Sequence, residues 1–347
     1  MEENQLPANN DTDEPAGCIN CDSSHVEEGY PTRLCRDCRQ SFIKYPIPLS
    51  IKLFAIGVGL VVLFALFSFP RNLSLGIHLE KGKKFEQKKQ YLSAQHEFAT
   101  VLKKVPDNQE ANAHLMIAAF YNMDFETFSK AQEKLAGKNF DDQELLGRLN
   151  VLVESVYDYY PDTALANLII KSGQQVADVP DTVYLNYLKE NPRNIYGLYA
   201  YAGRLYNKDI VRCDSVLKLL VEIDVSYIPA LRLLTGVQRS QEKWDESIQT
   251  CYKILEINKE AGYAYAAMAR TYLKEKLNDL GLKMAKRSVE TDKSDPYNRA
   301  TLALAWHFNA QPAKRDAILN ELKMQQDSAS HYYWQYALDI IQQKEKL

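Results

Sequence analysis

The sequence predicts an all-α protein: a solenoid of stacked helix pairs, preceded by a single transmembrane helix and a small N-terminal cysteine-rich module. Three observations carry that expectation. Short amphipathic stretches recur about every 34 residues over much of the chain. One uncharged, apolar run of seventeen residues, 53–69, precedes them. Two Cys-x-x-Cys pairs stand in front of that run. The bulk composition agrees. With 22 Tyr but only 14 Gly and 13 Pro in 347 residues, the chain has few helix breakers. A net charge of −3 gives no polycationic signature and argues against wholesale nucleic-acid binding.

Residues 1–17 are polar and acidic, with Glu2, Glu3, Asp11, Asp13 and Glu14, and have neither a positive n-region nor an apolar h-region. They are expected to be a disordered tail rather than a cleavable signal.

Four of the six cysteines lie within the next segment, 18–44. They form Cys18-Ile19-Asn20-Cys21 and Cys35-Arg36-Asp37-Cys38, with thirteen residues between. A Cys-x-x-Cys turn places two thiolates on one side of a tight knuckle. Two knuckles facing each other make a tetrahedral sulfur cage. Gly17, Gly29 and Pro31 supply turn residues around it. A unit this small cannot bury a core, so a bound metal would supply most of its folding energy. The segment resembles a short zinc ribbon, which implies structural Zn2+ held by Cys18, Cys21, Cys35 and Cys38. A redox pair is the other reading, without the strand-to-helix context of a thioredoxin-like motif. Arg33, Arg36, Arg39 and Lys44 are basic and lie near Tyr30 and Phe42. They suit anionic lipid headgroups beside a membrane helix, or nucleic acid if the ribbon is a reader.

The apolar run is the expected anchor, residues 50–70. Twelve of the seventeen residues in 53–69 are Leu, Ile, Val or Phe. At a rise of about 1.5 Å per residue the run spans roughly 25 Å, and Lys52 can snorkel to lengthen it. These side chains together contribute roughly −4 to −7 kcal/mol to insertion. Pro46 and Pro48 precede the run, and Pro70-Arg71 follows it. Basic residues flank it evenly, so the positive-inside rule does not orient it. Thiolate zinc sites persist in reducing compartments, which places the N-terminus in the cytoplasm and the repeats, 73–347, outside it. The expected location is a bacterial inner membrane.

Beyond residue 72 the period changes. Gly82, Phe85, Tyr91, Ala94, Phe98 and Pro106 mark one unit. Leu231, Leu234, Trp244, Ser247, Ile248 and Leu255 mark a second, and Tyr265, Ala269, Tyr272, Gly281, Leu282, Ala285 and Val289 a third. A partial unit runs from Leu302 to Leu322, and a last helix near 331–344 caps the array. The middle, 109–227, is less regular, and seven to eight helix pairs are expected in all. This pattern resembles the tetratricopeptide repeat, in which two helices alternate small and aromatic residues over 34 positions. The resemblance implies a superhelix whose inner face is lined by the first helix of each pair. It places Arg232, Arg239, Tyr263, Arg270 and Tyr297 on that face. Arg with Tyr suits an extended peptide bearing acidic groups or a free carboxylate. The same residues also suit an ordinary solvated face. The Asn-and-Lys carboxylate clamp of some family members is absent.

No phosphate-binding loop, His-Glu-x-x-His, Gly-x-Ser-x-Gly or calcium loop occurs. No enzyme activity and no small-molecule substrate are expected. His78, His96 and His114 recur every eighteen residues but fall in different predicted helices, so their spacing reads as coincidence. The leading expectation is a membrane-anchored scaffold for protein partners. The alternative is a regulatory, nucleic-acid-linked ribbon protein that uses the repeats for assembly.

Overall fold

A computed structural model describes residues 17–43, 47–172, 179–344 and 347, without the side chains of 65–72. The expected acidic tail lies outside these residues but for Gly17. The chain divides into two compact units, Met1–Leu73 and Ser74–Leu347. The described residues contain seventeen α-helices and no strand.

In the first unit, turns carrying Cys18, Cys21 and Cys35 lead into α1 (Arg36–Ile43), which carries Cys38, and α2 (Leu49–Gln87) begins there and ends in the second unit. The expected span, 50–70, falls within α2, but the side chains of its last residues lie outside the described set. Among the described residues no helix is long and apolar enough to cross a membrane.

The second unit is an all-α, tetratricopeptide-like solenoid. The end of α2 pairs with α3 (Tyr91–Leu102), and α4 (Gln109–Tyr121) with α5 (Phe125–Leu135). Further on, α9 (Ile195–Leu205) pairs with α10 (Ile210–Ile223), and α11 (Ile228–Ser240) with α12 (Trp244–Ile257). Then come α13 (Gly262–Lys274) with α14 (Asn278–Thr291), α15 (Pro296–Phe308) with α16 (Pro312–Met324), and the terminal α17 (Ser328–Ile341). The first helices of the last three pairs begin at Ile228, Gly262 and Pro296, and the second helices at Trp244, Asn278 and Pro312. Both series keep the 34-residue interval. Helices α6 (Gln143–Val156), α7 (Thr163–Lys171) and α8 (Asp181–Glu190) interrupt it: α6 packs on α4 and α7 on α8. Among the described residues six pairs are regular, and α7 with α8 is a further, irregular one.

Small residues set how closely paired helices approach. A Cβ on Gly82 would lie 2.5 Å from the Phe98 ring, and one on Gly281 2.6 Å from Leu273. Ala94 and Phe98 are fully buried beside the first of these contacts.

Five of the six turns inside the pairs share one device that the composition hides. Lys89, Met123, Glu242, Lys276 and Ala310 all have φ between 55° and 67°, and each sits midway through the turn of its pair. The next residue's N–H returns to the preceding helix, as in Gln90 to Phe85 O at 2.9 Å and Gln311 to Trp306 O at 2.9 Å. That is a left-handed C-terminal cap in which Gly is usual and a side chain is strained. Ala310→Gly is therefore expected to stabilise the array by about 1 kcal/mol. An unchanged or lower urea midpoint contradicts this.

Two buried glutamates hold the first pair: Glu97 ties α3 to α2, and Glu86 ties α2 to α4 and α6. Glu97 meets His78 Nδ1 at 2.6 Å and Lys81 Nζ at 2.5 Å, and Glu86 meets His114 Nδ1 at 2.7 Å and Arg148 at 2.6 Å. The histidine spacing that read as coincidence thus places two of the three against carboxylates. Burial pushes the Glu97 carboxyl up, but the hydrogen bonds from His78 and Lys81 outweigh it and hold the group below 4.5. A lowered folded-state value means stability that is present above the unfolded value and lost as pH falls through the folded one. Glu97→Gln is thus expected to flatten the fall in stability below about pH 4.5. Parallel acid limbs for the two proteins would refute this.

The array also closes on itself. Lys259 N donates to Lys89 O at 2.9 Å, and Lys89 Nζ to Glu256 O at 2.7 Å. Ser93 N and Oγ donate to the Glu260 carboxylate at 2.8 and 2.6 Å. Asn258, 1 % exposed, donates to Tyr121 O at 3.2 Å and bonds Asn122 Oδ1 at 3.0 Å. The turn between α12 and α13 is thereby fastened to the first two helix pairs.

Candidate functional sites: a four-cysteine centre and an arginine–tyrosine groove

The four N-terminal cysteines converge. The Sγ atoms of Cys18, Cys21, Cys35 and Cys38 all lie within 4.8 Å of one another, with Cys21 and Cys35 at 3.6 Å. A tetrahedron with Zn–S bonds of about 2.3 Å has S···S edges of about 3.8 Å. The donor set is four soft thiols with no disulfide among them, which fits zinc or iron. Backbone and side-chain N–H groups already face the sulfurs. Cys38 N reaches Cys35 Sγ at 3.4 Å, and Asn20 Nδ2 reaches Cys38 Sγ at 3.3 Å. The backbone hydrogen bond from Cys35 helps lower the Cys18 thiol to about 6. Outside the cage, Arg39 lies over the Tyr30 ring at 3.8 Å, pairs with Glu27 at 2.9 Å and donates to Thr32 O at 2.9 Å.

The other two cysteines are buried, structural groups. Burial pushes Cys213 up to about 11 and Cys251 to about 12, and Cys213 Sγ donates to Ala202 O at 3.1 Å.

The five groove residues come from three successive first helices. Arg232 and Arg239 lie seven residues apart on α11, Tyr263 and Arg270 seven apart on α13, and Tyr297 on α15. Two turns of helix separate such residues, so each pair projects from one face. The side chains interleave between helices. Arg232 lies over the Tyr263 ring at 4.4 Å, and Arg270 over Tyr297 at 4.2 Å. Arg270 Nε also donates to Thr301 Oγ1 at 2.9 Å. Among the described residues, Arg232, Arg239 and Arg270 form no ion pair. Arg232, Tyr263 and Tyr297 line a cavity of about 410 Å³ together with Tyr199, Leu233 and Met123. Met123 reaches it from the α4–α5 turn.

Two contributors were missed in the sequence. Tyr199 continues the ladder onto α9, and Tyr336 of α17 faces Arg270 at 5.0 Å. Tyr199 and Tyr206 repeat the seven-residue spacing of the arginines, a signal that was available. Burial raises the Tyr263 phenol to about 12, with Arg232 opposing it. The face therefore presents cations and neutral phenols.

No family model matches the chain. Protein STIP1 homolog of Dictyostelium discoideum is 29% identical over 135 residues, 39% of this chain and 22% of its own length. The chain thus spans less than a quarter of that relative. Among solved structures, a tetratricopeptide repeat protein from Parabacteroides merdae is similar with a TM-score of 0.38 and 13% identity, over 77% of this chain and 99% of that one. MamA is similar with a TM-score of 0.37 and 15% identity, over 54% and 99%.

Proposed function

We propose that this protein is a non-catalytic scaffold that holds protein or peptide partners in the inner groove of its repeat array. The observation that carries the reading is the Arg–Tyr ladder across α11, α13 and α15, in which Arg232 and Arg270 stack on tyrosine rings and neither forms an ion pair among the described residues, with Asp295 acting on Arg232 from beside it. Arginine and tyrosine are the side chains most used to anchor a partner, by charge-assisted hydrogen bonds and by rigid amphipathic rings. Arg232→Glu in the full-length, detergent-solubilised chain is the test. It should remove a defined subset of proteins captured from solubilised membranes and leave helicity unchanged. An identical captured set would sink the groove reading.

In the same proposal, Cys18, Cys21, Cys35 and Cys38 hold one structural zinc. When bound, the ion fixes two knuckles that have no core of their own. Residues 50–70 anchor the chain in a bacterial inner membrane, with the N-terminus in the cytoplasm and 73–347 on the far side. The uncharged run 53–69 supports this, as does the exposure of Leu53, Phe54, Leu60, Val61 and Phe64 around α2. Alkaline extraction should leave the chain in the membrane pellet. Protease added to spheroplasts should digest the repeats; protection of the repeats with loss of the cysteine module reverses the orientation. The nucleic-acid reading is weaker, because Arg39 is engaged inside the module by Tyr30, Glu27 and Thr32.

A further inference from the structure

The fastening between the α12–α13 turn and the first two pairs is made of hydrogen bonds. Helix α3 has no side-chain cap of its own, since Gln90 makes none. The orphan N–H of Ser93 in its first turn is capped instead by the Glu260 carboxylate, 167 positions away, at 2.8 Å. The Ser93 hydroxyl donates to the second oxygen at 2.6 Å, so Ser93 engages both. No buried apolar seam backs these bonds among the described residues. The apolar cluster of the first two pairs contains nothing beyond Tyr159, and the clusters around α12 to α15 contain nothing before Val221. Tyr159 packs its ring on Phe120 and Phe125 at 5.7 and 4.7 Å and on Tyr227 at 4.9 Å, which makes it a shared pivot. The fastened turns stand at the groove. Leu92, Gln95 and Asp124 line a cavity of about 350 Å³ together with Arg232, Tyr263 and Asp295. Met123 lines both that cavity and the larger one of about 410 Å³. The first two pairs thus cover the Arg232–Tyr263 step.

We infer that the fastening is a latch that holds the array in a closed, autoinhibited form, an inference that rests on the groove reading above. In this form the Arg232–Tyr263 step opens only into cavities of small-molecule size. A protein segment lying along α11, α13 and α15 needs Met123 and the α4–α5 turn to withdraw. Opening trades the hydrogen bonds of Glu260 and Asn258 for bonds to water and breaks no buried apolar cluster, so the closed and open forms lie close in free energy. A partner that binds the open form alone shifts the array toward it by its differential affinity. The Glu260 carboxylate supplies the charge-assisted bonds of the set, which are the strong ones, so its loss tips the balance furthest.

The test reads methionine oxidation by dilute hydrogen peroxide, residue by residue, in the full-length chain in detergent. Met324 is 83 % exposed and sets the rate of a free side chain, while Met116 and Met268, 2 % and 1 % exposed, report any loss of the fold. In the parent, Met123 should oxidise more slowly than Met324. In Glu260→Ala its rate relative to Met324 should rise about fivefold or more. In Ser93→Ala, which keeps the backbone bond, the rise should be smaller. Met116 and Met268 should not move in either variant. Proteins whose capture depends on Arg232 should bind Glu260→Ala about threefold more at short contact times. Ser93→Ala leaves the charge of the groove unchanged and should shift capture in the same direction. An unchanged Met123 rate in both variants overturns the latch, as does a Met123 rate that rises only in step with Met116 and Met268. A faster Met123 with unchanged capture overturns its control of the groove. If Arg232→Glu alters no capture in either the parent or the Glu260→Ala background, the groove reading fails and this inference with it, whatever Met123 does.

Discussion

Cys35→Ser is expected to strip the metal from the N-terminal module and unfold it. Elemental analysis of the parent chain should give one zinc equivalent, and the variant close to none. The expected effect is large because zinc binding in small modules is worth about 10–16 kcal/mol and is most of their folding energy. In 17–43 only Cys18, Leu34 and Cys35 are buried apolar residues, so little remains to hold the knuckles when one thiolate is gone. Limited proteolysis should therefore open this segment in the variant. Cys213→Ser and Cys251→Ser are the controls, since both thiols are buried in helices of the second unit and should leave metal content unchanged. A metal-free parent whose module resists protease would refute the assignment.

Phe98→Ala is expected to destabilise the repeat array by about 3–5 kcal/mol. The ring is fully buried, lies against Gly82 and stacks on His114 at a centroid distance of 5.5 Å. Gly82 has no side chain to fall into the space, and the helix backbone around it cannot close a ring-sized cavity. Far-UV circular dichroism in urea measures the loss. Trp244, Trp306 and Trp334 report separately on the other end of the array. An unshifted midpoint would mean that Gly82, Ala94 and Phe98 do not form the packing seam of the first pair.

That Gly82 and Phe98 belong to one helix seam was legible through the repeat resemblance, because a small residue opposite a ring is a local requirement of two close helices. The 34-residue register from Ile228 to Met324 was legible for the same reason: each pair repeats one solution to one packing problem. The segment 143–190 was not, since α6, α7 and α8 follow no period and take their places from long-range partners. Tyr187 of α8, for example, donates to Asp162, the N-cap of α7, 25 positions earlier. The left-handed residues Lys89, Met123, Glu242, Lys276 and Ala310 escaped notice because Gly, the usual marker, is missing from all five. His78 and His114 face glutamates on other helices, a relation that no count along the chain reveals. The groove arginines were placed on the inner face by register. The burial of Arg270 depends on Tyr336 and Tyr297, which arrive from later helices. The four cysteines were the plainest signal, because their spacing along the chain nearly fixes their meeting.

The fastening of the α12–α13 turn to the first pairs bears on how this chain assembles in time. An open solenoid can begin folding at any repeat and grow outward, because each contact is short-range in sequence. Ser93 and Glu260 are 167 positions apart, so their bond requires the intervening chain to be in place before it repays the entropy of bringing the ends together. The fastening is thus expected to form last and to slow the final phase of folding. Once made, it removes the free N-terminal end from which an open solenoid frays. Thermal unzipping should then start at α17, which has no such tether, and the N-terminal repeats should exchange their amide protons as late as the middle of the array.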